Sequence, residues 1–456
     1  MLCIGLDIGT TTISAVVIDV VSGSLLESVT KPNSATIKTS HLYERLQDPN
    51  KIIATATSIL DDLLENFPEV AGIGLTGQMH GILYTDKNGQ AVSPLYTWQD
   101  ARGDEKTTAH ISYAEELSRL TAQNTLSPIA SGYGSVTHFY NTQNKLVPEN
   151  ATSFSTIQAY VGLRLTERNY PLLHSSDAAS LGLYNYAEAS FSKEAVTDAK
   201  MDFSYYPEVT EDFAVLGSYK GRPVSVGIGD NQASFIGSVQ NMESSILVNV
   251  GTGQQISALS SSYKANSPIE ARPCVKGQFL QVGAPICGGE VYALLENFFS
   301  QAVLMATGEK AGKLYEKMNT AALKLLDNPP STEKLTVSTL FRGTRQDSTI
   351  RGSITGISPA NFTPEALTVA LLEGIAHELW QMYCKMELTT KKTVLIGAGN
   401  GIRLNPPLQK ILEKQFNMPL KISKHKEEAA FGAAMFCYAA LCISSSGDSQ
   451  SPLENS

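Results

Sequence analysis

Features that would assign the protein to a membrane, a secretory pathway or a nucleic acid are missing from its sequence. The longest apolar run extends from Ala429 to Ile443, which is shorter than the roughly 20 residues of a membrane-spanning helix. No basic region precedes the first strand-like run, so we expect no signal peptide. Lys and Arg number 35 against 44 Asp and Glu, a net charge of −9 without a basic stripe. We therefore expect neither a membrane nor a nucleic acid as partner.

Motifs of the common metal, nucleotide and nucleophile sites are also missing. None of the six cysteines stands in a Cys-x-x-Cys pair, and there is no His-Glu-x-x-His segment, so a zinc site is not expected. The apolar surroundings of the cysteines indicate free thiols in a reducing compartment, which predicts a cytoplasmic protein. No P-loop and no Gly-x-Ser-x-Gly elbow occurs. The Gly-x-Gly-x-x-Gly match at 72–77 precedes no amphipathic helix, so it does not indicate a dinucleotide site.

What the sequence does contain is an ordinary globular composition arranged as an α/β pattern. The 456 residues are 42% hydrophobic and include 35 Gly and 20 Pro, enough for two or three domains of about 150 residues each. A strand, a Gly/Thr loop and a second strand follow one another at 2–21 and again at 245–259. Two such units so far apart predict an internally duplicated molecule with two lobes.

Helices and short strands alternate around these units. We expect helices at 52–67, 364–386, 407–416 and 429–443, and strands at 70–75, 224–228 and 394–396. The polar Gly/Pro stretch at 218–223 predicts a boundary between one lobe at 1–220 and another at 221–443. The Ser-rich segment 444–456 is expected to be a flexible tail.

The two Gly/Thr loops could bind phosphate. Asp7 precedes the loop formed by Gly9, Thr10, Thr11 and Thr12, and the second loop is 251–253. Such turns present backbone N–H groups and hydroxyls to phosphate oxygens, and a nearby carboxylate can hold Mg²⁺ through water. The first loop alone reads more simply as a hairpin turn, but two of them could grip one polyphosphate.

Two further segments stand where a strand gives way to a helix. Asp230 follows the strand 224–228 and could be a general base, or simply the cap of the next helix. The segment 397–401 places small residues after a strand, where a flat ring could lie against the backbone. A glycine-rich turn without a ligand is the alternative there.

Polar groups for a polyol stand in two segments, 76–81 and 96–102. Trp98 could supply an apolar wall beside them. Read alone, His80 is more simply a core histidine, and Asp100 with Arg102 a structural ion pair.

In this order along the chain, six segments resemble the FGGY family of carbohydrate kinases: 7–11, 77–81, 98–102, 229–233, 251–253 and 397–399. The resemblance covers residues 1–442. It implies an α/β fold of two actin-like (ribonuclease H-like) ATPase lobes with an interlobe cleft, the first binding sugar and the second ATP. It implies transfer of phosphate from ATP, with Mg²⁺, to a sugar or polyol hydroxyl.

The resemblance also implies roles for single residues. Asp230 resembles the general base of the family, and Asp7 the carboxylate that holds Mg²⁺ through water. The residues implied to contact the sugar are Gln78, Met79, His80, Trp98, Asp100, Arg102 and Asn231. The residues implied to contact the nucleotide are Gly9, Thr10, Thr11, Thr12, Gly251, Thr252, Gly253, Gly289, Gly399, Asn400 and Asn405.

Within the family, the acceptor motifs resemble those of ketose kinases. Residues 78–81 are similar to xylulokinases and sedoheptulokinases, whereas glycerol kinases carry an Arg-Glu pair there. Gln99 and the segment 131–137 are similar to sedoheptulokinases. We therefore expect phosphorylation of a ketose primary hydroxyl, sedoheptulose before D-xylulose. A non-catalytic actin-like ATP-binding protein is the alternative from another class, and a homodimer is left open.

Overall fold

A computed structural model describes residues 1–122, 127–264, 267–329, 334–344, 347 and 349–446. They form two compact units. The first unit comprises residues 1–238, 272–278 and the described residues from 425 onward, and the second comprises 239–271 and 279–424. Each unit is described by itself below.

The elements of the chain up to residue 238 all belong to the first unit. Its strands are β1 (Leu2–Ile8), β2 (Thr12–Asp19), β3 (Ser24–Pro32), β4 (Thr36–Ile37), β5 (Leu46–Gln47), β6 (Gly72–Gly77), β7 (Leu83–Thr85), β8 (Leu95–Tyr96), β9 (Ser153–Ser155), β10 (Leu172–His174), β11 (Tyr184–Asn185), β12 (Ser190–Phe191), β13 (Glu208–Thr210), β14 (Val215–Tyr219), β15 (Arg222–Ser225) and β16 (Ile228–Gly229). Its helices up to that point are α1 (Pro49–Asn66), α2 (Tyr113–Leu120), α3 (Gly134–Gln143), α4 (Ile157–Leu165), α5 (Ser175–Ala178), α6 (Lys193–Asp198) and α7 (Asp230–Ser238).

The central sheet of the first unit is mixed, with strand order β14-β15-β6-β1-β2-β3 and β16 paired with β6. β1, β2 and β3 form an antiparallel meander, while β6 runs parallel to β1, β15 and β16. The strands β1 and β6 are buried along almost their whole length, as their apolar runs predict. The Gly-x-Gly-x-x-Gly match is β6 itself, so no glycine loop exists at that position.

The later elements form the second unit and the last helix, except that Arg272 and Pro273 at the end of β19 (Glu270–Pro273) belong to the first unit. The strands are β17 (Ser245–Val250), β18 (Gln254–Ser260), β19 (Glu270–Pro273), β20 (Phe279–Gly283), β21 (Thr336–Ser338), β22 (Ser353–Thr355), β23 (Val394–Ala398) and β24 (Leu420–Ile422). The helices are α8 (Gly289–Thr307), α9 (Tyr315–Asp327), α10 (Pro364–Tyr383), α11 (Asn400–Arg403), α12 (Pro406–Phe416) and α13 (Glu428–Ser446). Their main sheet has the order β19-β20-β18-β17-β23-β24.

The two main sheets repeat one arrangement, which confirms the predicted duplication. β17 and β18 form an antiparallel hairpin that β20 extends, and β23 then runs parallel to β17 and β24. This matches the meander β1-β2-β3 followed by parallel β6 and β15. The predicted helices and strands around the two hairpins are also found, with bounds shifted by a few residues.

The predicted boundary at residue 220 lies elsewhere in the structure. Residues 218–223 form the turn of the hairpin β14–β15, in which Tyr219 pairs with Arg222, and this hairpin extends the first sheet. The first unit therefore continues through α7 to Ser238. The predicted strand 224–228 is divided into β15 and β16. Of the predicted tail, residues 444–446 end α13, and 447–456 lie outside the described residues.

The last helix returns to the first unit and holds α7 in place. A Cβ on Gly432 of α13 would stand 1.8 Å from the carbonyl oxygen of Ala233, and a Cβ on Gly237 of α7 would stand 2.0 Å from that of Glu428. Only glycine permits so close an approach of two helix backbones. The apolar run 429–443 is therefore a buried helix, as predicted, and it fixes the helix that begins with Asp230.

Candidate active site

Two carboxylates of the first unit emerge at one edge of its sheet. Asp7 of β1 pairs with Thr76 of β6, and Ile228 of β16 pairs with the same Thr76 from the other side. With strands about 4.8 Å apart, the two outer backbones are roughly 10 Å apart at this level. Asp230 follows at the start of α7. Both side chains are half-buried and lie at the carboxyl ends of parallel strands, where α/β folds bind ligands.

The ionisation of these two groups is unusual. Burial, together with the negative charges of Asp230 and Glu427, raises the pKa of Asp7 to about 7. Burial raises the pKa of Asp230 to about 6, against the opposing effect of Arg272. Asp230 is therefore mostly ionised at neutral pH but close enough to its pKa to accept a proton. A cation beside Asp7 would relieve the repulsion among the carboxylates.

A third aspartate, which the motifs did not indicate, lies next to these two. Asp177 of α5 is fully buried and accepts hydrogen bonds from the Thr156 hydroxyl and from Gln158 Nε2, the latter at 2.7 Å. Burial raises its pKa to about 7, and the charge of Asp230 contributes. Its only sequence signal was a carboxylate shortly after a strand, the same signal that selected Asp230.

The backbone just before Asp230 is held by a buried polar chain. Gly229 N–H donates to Ser176 Oγ at 3.1 Å, and the Ser176 hydroxyl lies 2.8 Å from His174 Nδ1. Burial lowers the pKa of His174 to about 4, so the imidazole is neutral and accepts the hydroxyl proton. No sequence pattern indicated these hydrogen bonds, because none of the residues that form them belongs to a recognisable motif.

Asn231 stands beside Asp230 with an amide oxygen that lacks a hydrogen-bond partner in the described part of the chain, although that atom is buried. An unpaired buried acceptor is costly. It therefore fits a ligand hydroxyl or water next to the carboxylate. The following residue, Gln232, donates through Nε2 to the carbonyl of Pro273 at 2.8 Å, while its buried Oε1 also lacks a partner among the described residues.

The first Gly/Thr loop is a tight hairpin turn whose backbone carbonyls are held by hydrogen bonds from Asn33 and Gln47. Asn33 donates through Nδ2 to the carbonyl of Gly9 and through its backbone to that of Thr11, and Gln47 Nε2 donates to that of Thr10. Thr11 and Thr12 are exposed. Thr11 and Thr12 therefore lie at the surface, while the carbonyls of the loop are already paired.

Gln78 and Trp98 are joined to this loop by side-chain hydrogen bonds. Trp98 Nε1 donates to Thr10 Oγ1 at 3.0 Å, and Thr10 Oγ1 lies 3.2 Å from Gln78 Oε1. Trp98 is 47% exposed, whereas Gln78 is buried. The structure thus brings together residues that the sequence analysis assigned separately to nucleotide and sugar.

Met79 and His80 are neighbours in the chain but have different surroundings. Met79 is buried, and its Sδ would meet a Cβ on Gly229 at 2.8 Å. His80 adopts a left-handed φ of 73° and stacks on Tyr133, with ring centroids 4.3 Å apart. His80 Nδ1 donates to the Ser180 carbonyl at 2.7 Å, because that oxygen can only accept. In the neutral form of the ring, this bond leaves Nε2 as the acceptor.

Asp100 and Arg102 form a buried ion pair and not an exposed surface. Arg102 Nε donates to Asp100 Oδ1 at 2.6 Å, and Arg102 Nη1 donates to Asn141 Oδ1 at 2.6 Å. Asp100 is 0% exposed and Arg102 2% exposed. The guanidinium also lies 4.2 Å from the ring centroid of Tyr96. In this structure neither charge is directed at a surface where a sugar could bind.

The second unit contains a cavity of about 640 Å³ next to its own Gly/Thr loop. Five of the residues predicted to contact nucleotide line it: Gly251, Thr252, Gly289, Asn400 and Asn405. Its apolar walls include Tyr292, Leu372, Ile375 and Leu408. A largely apolar cavity of this size with polar groups at one end is typical of small-molecule sites.

Glycines and a helix cap shape this cavity. Gly289 N–H donates to the carbonyl of Gly251 at 2.8 Å, which places the start of α8 against the loop. Gly399 has a φ of 77°, and a Cβ there would stand 2.5 Å from both Asn249 Oδ1 and the Val250 carbonyl. Asn405 caps α12 by accepting from Leu408 N–H at 3.0 Å. Gly253 and Gly399 are not lining residues of the cavity but support its wall.

The described residues contain neither a membrane-spanning helix nor a cluster of metal-binding side chains. Among the described helices, none is long and apolar enough to cross a membrane. No group of three or more His, Cys, Asp or Glu side chains in the described part of the chain could hold a metal by itself. All six cysteines are free thiols, and four of them are buried.

Comparison with known proteins identifies the family. The model for the FGGY carbohydrate kinase N-terminal domain matches residues 2–237, and the model for the C-terminal domain matches residues 246–441. These bounds agree with a first unit that runs through α7.

Relatives with assigned names cover nearly the whole chain. The sedoheptulokinase of Mus musculus is 27% identical over 95% of this chain and 96% of its own length. A xylulose kinase of Lactococcus lactis is 26% identical over 95% of this chain and 86% of its own length.

Among solved structures, the xylulose kinase of Rhodospirillum rubrum superposes with a TM-score of 0.81 at 19% identity, covering 100% of this chain and 92% of that one. At this identity the likeness shows the shared two-domain, actin-like fold. The two family models, which between them match most of the chain, and these relatives show that the chain belongs to the FGGY family of carbohydrate kinases and is a sugar kinase.

Proposed function

We propose that the protein transfers the γ-phosphate of ATP to a primary hydroxyl of a ketose, with sedoheptulose as the preferred acceptor and sedoheptulose 7-phosphate as the product. The observation that carries the proposal is Asp230, a half-buried carboxylate with a pKa near 6 at the end of a strand and the start of a helix. The name of the 27% identical relative supports the seven-carbon ketose. D-Xylulose is the second candidate, because a relative of almost equal identity is a xylulose kinase.

Asp230 acts as general base in this proposal. Its ionised carboxylate accepts the proton of the acceptor hydroxyl as the oxygen forms a bond to the γ-phosphorus. The bond from that phosphorus to the bridging oxygen of ADP breaks at the same time, so atoms and charges balance. Such transfers depend mainly on positioning and charge stabilisation. The chain from His174 through Ser176 to Gly229 holds the backbone that carries this base.

The residues present fit a magnesium nucleotide. Asp7 is a single half-exposed carboxylate with other negative charges nearby, and Mg²⁺ in kinases is typically held by one or two carboxylates, water and substrate phosphates. Bound Mg²⁺ would neutralise charge on the transferred phosphate. Thr11 and Thr12 in the first unit and Gly251 to Gly253 in the second would contact phosphates. The cavity of the second unit would take the adenosine.

The acceptor would contact residues of the first unit. In this proposal Met79, His80, Trp98 and Asn231 would contact the sugar. His80 Nε2 would accept from a sugar hydroxyl, and the indole of Trp98 would cover an apolar face. Asp100 and Arg102, being buried together, would act by supporting the wall near Tyr96. The free cysteines favour a cytoplasmic location, and we leave the homodimer as a prediction.

Steady-state kinetics on a panel of acceptors tests the proposal. We expect kcat/KM to be highest for sedoheptulose, lower for D-xylulose and L-ribulose, and lowest for glycerol. Glycerol is too short to pair with the polar groups around His80 while its hydroxyl rests on Asp230, and unpaired polar groups lower specificity constants. A xylulose value clearly above the sedoheptulose value would favour the second candidate. A glycerol value above both would contradict a ketose kinase.

A further inference from the structure

A closed ring of hydrogen bonds lies beneath the first Gly/Thr loop. Gln47 Nε2 donates to the Thr10 carbonyl at 2.8 Å, and Gln78 Nε2 donates to Gln47 Oε1 at 2.9 Å. Thr10 Oγ1 donates to Gln78 Oε1 at 3.2 Å and closes the ring. Gln47 and Gln78 are both buried. Three residues from three distant parts of the chain therefore satisfy one another.

Trp98 is attached to this ring from the outside. Its indole N–H donates to Thr10 Oγ1 at 3.0 Å, so that single hydroxyl accepts from Trp98 and donates to Gln78. A hydroxyl has one proton, and its direction is set by both partners. If the indole moves or the loop carrying Thr10 shifts, the hydroxyl must reorient and a buried amide loses a partner.

Gln47 connects the ring of hydrogen bonds to the strands that carry Trp98. It lies at the end of β5, which pairs with β8 just before Trp98, since Leu46 pairs with Tyr96. One end of its amide holds the Thr10 backbone and the other holds the Gln78 side chain. It thus joins the strand pair that presents Trp98 to the loop that follows Asp7.

We propose that Gln47 is a positioning residue that couples the sugar side of the site, at Trp98, to the nucleotide side, at Thr10, so that each ligand strengthens the binding of the other. This inference rests on the proposed function, because it assigns the two ends of the ring to the two substrates. Buried, fully paired networks have few alternative arrangements. A ligand that orders one end therefore lowers the cost of ordering the other end.

Tryptophan fluorescence can measure this coupling directly. The chain has two tryptophans, Trp98 and Trp380, so Trp380→Phe leaves the half-exposed Trp98 as the only reporter. In this parent, magnesium adenylyl imidodiphosphate is first titrated without sugar. The ketose with the highest kcat/KM in the acceptor panel is then titrated with and without that analogue. We expect a nucleotide-dependent change in Trp98 emission and a sugar Kd at least about fivefold lower with nucleotide.

Two variants interrupt the ring at different points. Gln47→Met keeps the volume but removes both hydrogen bonds, and Thr10→Val removes the hydroxyl. In either variant we expect the ratio of sugar Kd values without and with nucleotide to fall below about twofold, and the sugar KM to become independent of ATP concentration. Thr10→Ser retains the hydroxyl and should retain the ratio. If Gln47→Met does not fold, the pair Thr10→Val and Thr10→Ser decides.

Gln281→Met is the matched control for a purely structural loss. Gln281 is a buried glutamine of the second unit that donates to the Ser262 and Glu387 carbonyls at 2.7 Å, and it lines no part of the nucleotide cavity. Gln281→Met should lower the Tm but leave the ratio of sugar Kd values without and with nucleotide unchanged. A parent ratio of one, or a Gln47→Met ratio equal to that of the parent, overturns the coupling.

The acceptor panel separates this result from the proposed function. A parent that phosphorylates a ketose while Thr10→Val keeps the nucleotide-dependent Trp98 signal and the Kd ratio would overturn only the coupling. A parent that phosphorylates no ketose overturns the proposed function. In that case the Trp98 response to nucleotide alone still tests the ring, and its persistence in Thr10→Val would overturn the coupling as well.

Discussion

The two hairpins β1–β2 and β17–β18 have the same topology but opposite chemistry. One residue before the end of the first strand stands Asp7 in one unit and Asn249 in the other. Across the parallel neighbour, Asp7 faces Thr76 and Asn249 faces Ala398. The first hairpin is surrounded by carboxylates with raised pKa values, whereas the second borders glycines and an apolar cavity. In the proposed function, one backbone arrangement would thus serve proton and phosphate transfer in one unit and adenosine binding in the other.

The largest expected effect comes from removing the proposed base of the first unit. Asp230→Asn should lower kcat by about 10²–10⁴-fold and leave nucleotide binding nearly unchanged. Asp48→Asn is the matched control, because Asp48 also begins a helix and accepts from Asn50 N–H, and Asn caps as well as Asp. Rapid-quench or coupled ADP assays measure the difference. Near-normal turnover in Asp230→Asn would mean that Asp230 only caps α7.

A substitution that makes the first hairpin resemble the second should lower activity less than Asp230→Asn does. Asp7→Asn gives β1 the asparagine that β17 carries at the equivalent position, Asn249. Since Asp7 is proposed to hold Mg²⁺ through water, we expect a loss of about 10–100-fold in Mg²⁺ affinity or activity. Mg²⁺ titrations of the activity measure this, with Asp86→Asn in an exposed turn as the control. An unchanged Mg²⁺ dependence would remove Asp7 from the metal site.

A substitution at Gly399, which packs against the end of β17, tests the nucleotide side of the comparison. Gly399→Ala forces a left-handed φ on alanine and a contact of 2.5 Å with Asn249 Oδ1, a strain of about 1–3 kcal/mol. We expect the KM for ATP to rise about tenfold and the sugar KM at saturating ATP to change little. Gly277→Ala, at a positive φ with nothing within 4 Å, controls for the backbone effect alone. Equal effects of both variants would contradict a role of Gly399 in the nucleotide cavity.

The smallest effect concerns stability. The pKa of Asp177 is about 7 in the folded protein against an ordinary value of 3.8, so the fold favours the protonated form. Stability from this group is full below pH 4 and is lost as pH rises to about 7. Asp177→Asn should therefore raise the Tm of the ligand-free protein at pH 8 by a few degrees, at about 2–4 °C per kcal/mol, with a smaller gain at pH 5. A gain that is independent of pH would contradict the raised pKa.

Much of the site could be predicted because its motifs are local. A strand followed by a Gly/Thr turn and a second strand is decided within about ten residues, and both hairpins were found where predicted. The order of these motifs along the chain also identified the family. Residues 251, 252, 289, 400 and 405 meet in one cavity because each follows the end of a strand or stands at the start of a helix in the second unit.

What sequence could not reveal depends on contacts between distant segments. The ring of Thr10, Gln47 and Gln78 joins residues separated by up to 68 positions, and no spacing rule relates them. Asp100 and Arg102 stand in a motif, yet the surrounding aromatic rings bury their charges. The boundary after Ser238 follows from α13, which returns from the far end of the chain to pack on α7.

By itself, then, the amino-acid sequence determined the two duplicated hairpins, the family and the candidate base Asp230, since short-range patterns specify turns and strand ends. Only the tertiary structure decided which polar groups are exposed, which carboxylates share a site with Asp230 and how far the first unit extends. Burial and the repulsion between neighbouring charges set those outcomes, and both depend on every segment that packs around a residue.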